Sequence, residues 1–172
     1  MNKWTASACA IVATLALAAC GGSKDQAESA AAPASGTAAK KATVARPAAN
    51  ADDNTWGLYL ADQGKVHADD IGMKPFIYVI PVADSQMGDD RRKNETESIV
   101  NGAGSVLIPG ALLIIGGPDA NVTRSFVEGL GQKVKPDSLK GVTVLVVSDA
   151  AHKDGLSKVL APTGARARVV SM

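Results

Sequence analysis

The sequence predicts an α/β fold: a small three-layer sandwich around a mostly parallel four-stranded sheet, ordered βαβαβαβ, behind a disordered N-terminal tether. Three observations carry this expectation. Ala111-Leu-Leu-Ile-Ile115 and Val142-Thr-Val-Leu-Val-Val147 are continuous apolar runs, the pattern of strands buried on both faces of a parallel sheet. The segments between the apolar runs repeat apolar residues at steps of three and four, as amphipathic helices do. Capping residues and glycines punctuate these segments where helices would begin and end, and right-handed crossovers then make the strands parallel.

Taken in order, Pro75-Phe-Ile-Tyr-Val-Ile-Pro-Val82 is the first strand. The first helix opens in the charged cluster Asp89–Glu97 and continues through Ile99, Ala103, Val106 and Leu107. Its acidic-then-basic order partly suits a helix dipole, and the cluster reads as a solvated face or as a rim that steers a partner. After the second strand, Pro118-Asp119 opens a helix carrying Val122, Phe126 and Leu130. After the third, Ser148 or Asp149 caps a helix carrying Leu156, Val159 and Leu160, with Gly131 and Gly164 near helix ends. The last strand, Ala167–Ser171, carries an arginine and suits a sheet edge, which leaves the second and third strands inside. Trp56, Leu58, Tyr59 and Leu60 form either a helical turn or a short extra strand, with Trp56 packed on the core.

The amino terminus has a different character. One lysine, Lys3, precedes an uncharged apolar stretch from Trp4 to Ala19, the layout of a secretory signal peptide. The stretch is shorter than the roughly 20 residues a spanning helix needs. It ends in Leu17-Ala18-Ala19-Cys20, which resembles the lipobox of bacterial lipoproteins. The resemblance covers only the first 20 residues. It implies removal of residues 1–19 and attachment of diacylglycerol, with a further acyl chain such as palmitate, to Cys20, which would hold the chain to a lipid bilayer; stable anchoring takes two or more chains. The absence of an acidic residue after Cys20 further implies sorting to the outer membrane, facing the periplasm.

Cys9 falls in the discarded stretch, so the mature chain keeps Cys20 alone and forms no internal disulfide. Residues 20–54 are rich in Ala, Ser, Gly, Lys and Pro, with Val44 the only branched apolar side chain. Such composition buries too little to offset its ordering entropy, so a disordered tether is expected, spanning roughly 30 Å. The globular domain is assigned to residues 55–172. From Thr55 onward 13 Lys and Arg balance 13 Asp and Glu. That balance, together with the lack of an aromatic stripe, argues against nucleic acid as a partner.

Ligands of open α/β sheets bind beyond the strand carboxyl ends, where strand order reverses. Three segments reach that rim: Asp84–Asp90, Gly116–Asn121 and Ser148–Asp154. Two readings compete for Asp84, Gly116, Gly117, Asp119, Asp149 and His152. In one they hold a small ligand or a divalent cation, for which carboxylates and a histidine are suitable donors. In the other Asp119, Ser148 and Asp149 cap helices and Gly116-Gly117 is a plain tight turn. The glycine pair lacks the lysine and hydroxyl of a phosphate loop and the third glycine of a dinucleotide site. Gly102-Ala-Gly-Ser105 is not a nucleophile elbow, and His67 and His152 show no zinc-ligand spacing. No metal or cofactor is therefore expected. The function expected is a membrane-anchored, non-enzymatic accessory or interaction subunit of a cell-envelope assembly. The alternatives are a ligand-binding module at the rim and a hydrolase built on Asp84, Asp149 and His152.

Overall fold

The computed structural model describes residues 44–82 and 85–172. The elements are α1 (Asp53–His67), β1 (Phe76–Val79), α2 (Gln86–Gly102), β2 (Leu112–Gly116), α3 (Ala120–Lys133), β3 (Thr143–Ser148), α4 (Lys153–Leu160) and β4 (Arg166–Ser171). Short 3-10 turns flank α4, at Ala150–His152 and Ala161–Thr163. The four strands are all parallel and lie in the order β1-β2-β3-β4. The two apolar runs are the inner strands and the arginine-bearing strand is an edge, as expected.

Alternation along the strands divides the core. Leu113, Ile115, Val144 and Val146 face Ile99 of α2, Phe126, Val127 and Leu130 of α3, and Leu156 and Leu160 of α4. Leu112, Ile114, Leu145 and Val147 face Trp56, Tyr59 and Leu60 of α1. Among the described residues three crossover helices thus cover one face and α1 alone covers the other, giving the three layers. Both inner strands are buried along their whole length, which explains their unbroken apolar sequence. Fully burying one such Leu, Ile or Val contributes about 1.5–3 kcal/mol.

The segment left open between helix and strand is helical. Asp52 caps α1 by accepting from the Thr55 amide at 2.7 Å. Trp56 and Tyr59 meet edge to face, with ring centroids 5.6 Å apart. Small residues let α1 lie close to the sheet: a Cβ on Gly64 would stand 2.6 Å from Ile114 Cδ1. A similar economy lets α3 approach α4, because a Cβ on Gly131 would stand 2.9 Å from the Val159 carbonyl oxygen.

Two boundaries differ from expectation. The ordered body begins at least 11 residues before Thr55. Val44 N donates to Asp62 Oδ2 at 3.0 Å, Trp56 Nε1 donates to Ala48 O at 3.2 Å, and Arg46 Nη2 donates to Pro118 O at 3.4 Å. This strap is held largely through its backbone, so its Ala- and Pro-rich composition conceals it. The first crossover helix also stops at Gly102, short of Ala103, Val106 and Leu107. Gly104 takes the left-handed φ of 79°, the turn hydrogen-bonds back to Gly102 O, and only Leu107 of this turn is fully buried while Val106 is exposed.

Candidate functional site

The carboxyl ends of β1–β4 form one rim, where the crossover helices begin. Because the strand order never reverses, the sheet lacks the switch-point crevice that open α/β folds use for ligands. What the rim offers instead is a shallow depression of about 250 Å³ lined by Arg46, Ala120, Ser148, Asp149, Ala150, Ser171 and Met172.

The glycine pair is explained by space. Gly116 is the last residue of β2, and a Cβ there would stand 2.6 Å from Leu60 Cδ2 and 3.1 Å from Val147 O. At Gly117 a Cβ would overlap the Ile80 carbonyl oxygen, where β1 leaves the sheet and the Ile80 amide still donates to Gly116 O at 2.8 Å. Neither glycine has a positive φ. Close packing, rather than the expected tight turn, accounts for both.

The acidic residues are engaged by backbone. Asp119 caps α3, its Oδ1 accepting from the amides of Asn121 at 2.7 Å and Val122 at 3.1 Å. Asp149 accepts from Ala151 N at 2.9 Å and so caps the 3-10 turn rather than α4 itself. Ser148 is fully buried at the end of β3. Its hydroxyl donates to Ala120 O at 3.2 Å and lies 3.1 Å from His152 Nδ1. With its only proton on that carbonyl, the Ser148 hydroxyl is left to accept from Nδ1–H of His152.

Chemically, this arrangement holds two loop ends and one imidazole in place. Ser148 touches this histidine, but it is buried and its proton is committed to Ala120 O. His67 lies at the end of α1, near the opposite edge of the sheet, so the two histidines are not brought together. Among the described residues no three of His, Cys, Asp and Glu gather in a way that could hold a metal ion. Asp84 and Cys20 lie outside the described residues.

Sequence reasoning missed two cations at this rim. Arg46 lies in the segment assigned to the tether. Arg92 was read as part of a solvated charge cluster, yet its side chain is mostly covered. Its Nη1 donates to Pro81 O at 3.0 Å and Val82 O at 2.7 Å, and its Nη2 pairs with Asp89. It therefore ties the first turn of α2 to the chain leaving β1. The charge-rich sequence contained the residue but no signal that singled it out from Arg91 beside it. No protein-family model, curated protein or solved structure matches this chain.

Proposed function

We propose that this chain is a lipid-anchored bacterial lipoprotein, held by acylated Cys20 to the outer membrane and facing the periplasm. In this reading its α/β domain is a non-enzymatic accessory or interaction subunit of a cell-envelope assembly. The observation that carries the non-catalytic part is how the rim side chains are used: Asp119 and Asp149 accept backbone amides at helix and turn starts, and the buried Ser148 hydroxyl is hydrogen-bonded to Ala120 O and His152. Each of these is a structural role that needs no substrate. The anchor rests on the likeness of Leu17–Cys20 to a lipobox. No helix among the described residues is long and apolar enough to cross a membrane.

The test compares variants in the native host. Asp149→Ala and His152→Ala should leave the biological phenotype intact, Cys20→Ser should abolish it, and cross-linking of the membrane-bound chain should recover a stable partner. Loss of the phenotype in a folded His152→Ala protein would turn the reading towards catalysis. A second reading, a small-ligand module, is favoured by the depression beneath Arg46. A ligand present at 100 times its dissociation constant would stabilise the domain by about 2.7 kcal/mol, so a flat thermal-shift screen against metals and small anions counts against that module.

A further inference from the structure

The edge opposite the rim, where every strand starts, combines exposed apolar side chains with exposed cations. Parallel pairing brings the strand starts together: Phe76 is in register with Leu113, and Leu112, Thr143 and Arg166 form one row. The connections leading into them touch one another. Met73 Sδ lies 3.6 Å from where a Gly110 Cβ would stand, Gly110 N donates to Gly141 O at 2.9 Å, and Pro109 closes on Gly141. Met73, Val106 and Ile108, at 40 %, 55 % and 43 % exposure, are three of the six large apolar side chains exposed among the described residues. Beside Met73 opens an apolar groove of about 360 Å³ between α1 and the sheet, with Lys65 on its wall.

Lys65, Lys74, Lys135, Lys140 and Arg166 are exposed around these residues. The carboxylates of the same edge are Asp69, Asp70 and Asp137, and Arg168 holds Asp70. Lys65 sits in the last turn of α1, where a cation offsets the helix dipole. That explanation does not extend to Lys74 and Lys140, in the connections leading into β1 and β3, or to Arg166, which opens β4. The opposite rim carries the capping carboxylates Asp52, Asp119 and Asp149. That rim also holds Arg46 and Arg92, whereas at the edge where the strands start Lys65, Lys74, Lys135, Lys140, Arg166 and Arg168 outnumber the three carboxylates, and the exposed apolar side chains lie among these cations.

We infer that this edge docks on an anionic phospholipid surface, its lysines at the head groups and Val106, Ile108 and Met73 at the boundary with the acyl chains. Basic side chains are drawn to anionic lipid, each contributing about fivefold to binding, and apolar residues among them enter the interface. The inference rests on the lipid-anchor reading, since a patch this small needs the high effective concentration that attachment supplies. Twenty-three residues separate Cys20 from Val44, and a flexible linker of that length reaches roughly 26 Å, enough for the domain to turn this edge to the bilayer.

The anchor reading leaves Cys20 as the only cysteine of the mature chain and blocks it with lipid, so one engineered cysteine can be labelled alone. The full mature lipidated protein, with an environment-sensitive fluorophore on Val106→Cys, is reconstituted into phosphatidylglycerol-containing vesicles and into neutral phosphatidylcholine vesicles. The label should be shielded from an aqueous quencher and reached by lipid-borne quenchers in the anionic vesicles only. Shielding should disappear at about 1 M salt, where the screening length is about 3 Å. The pair Lys74→Gln and Lys140→Gln should weaken it about 25-fold. A label on Leu58→Cys, exposed on α1, should stay in water throughout. If the protein floats with vesicles but the Val106 label is equally accessible in both lipids, the docking is wrong and the anchor stands. If it does not float, the anchor and the docking that rests on it both fall. Shielding in native membranes but not in pure anionic vesicles would assign the edge to a protein partner and overturn the inference.

Discussion

Arg168 of β4 grips Asp70 with both prongs of its guanidinium, Nη1 to Oδ1 at 2.6 Å and Nη2 to Oδ2 at 2.7 Å, and its Nη1 also donates to the His67 carbonyl at 2.8 Å. One edge-strand side chain thereby holds the C-terminal end of α1, the only helix on its face of the sheet among the described residues. An arginine on the last strand was expected merely to mark an edge; here it also clamps a layer.

That clamp makes stability depend on acid pH. The hydrogen bonds from Arg168 hold the Asp70 carboxyl below the ordinary aspartate range. A carboxyl lowered in the folded state contributes stability above its unfolded pKa and loses it as pH falls through the folded value. The Tm deficit of Asp70→Asn should therefore be constant around neutral pH and shrink below about pH 4. Thermal melts of both proteins across the acid range measure it, and a deficit that does not change with pH would contradict the ion pair.

Gly117→Ala and Gly129→Ala should move stability in opposite directions. The first drives a methyl into the Ile80 carbonyl, an overpacking that costs about 1–3 kcal/mol. The second meets nothing within 4 Å on α3 and should add about 0.5–1 kcal/mol through helix propensity. Urea denaturation of the two variants checks both signs, and a harmless Gly117→Ala would undo the packing explanation of the glycine pair.

Thr143→Val should stabilise the domain. The Thr143 hydroxyl is buried at the start of β3 with no hydrogen-bond partner among the described residues. An unsatisfied buried hydroxyl costs about 1–3 kcal/mol, and valine suits a strand. A lower melting temperature for the variant would mean that the hydroxyl has a partner.

Asp119→Ala should cost about 1 kcal/mol, the usual loss on removing an N-cap, and leave the biological role unchanged. Equilibrium unfolding gives the first quantity and complementation in the host gives the second. A phenotype lost at full stability would mean that Asp119 does more than cap α3.

The layers were legible in the sequence because burial on both faces leaves a mark on composition: Leu112–Ile115 and Thr143–Val147 have almost no polar positions. The caps Asp119 and Asp149 were legible for a similar reason, since capping is local in sequence. Which inner strand neighbours which edge strand was not, because pairing partners are chosen by contacts far apart in the chain. The strap from Val44 was hidden because backbone hydrogen bonds leave no trace in side-chain pattern. The grip of Arg92 on Pro81 and Val82 was hidden among neighbouring charges that face water.

The most direct test of the proposed anchoring is the intact mass of the protein extracted from native membranes. A chain starting at Cys20 and heavier by a diacylglycerol group and a further acyl chain is the predicted result. A chain of unmodified mass, recovered from the soluble fraction, would contradict it.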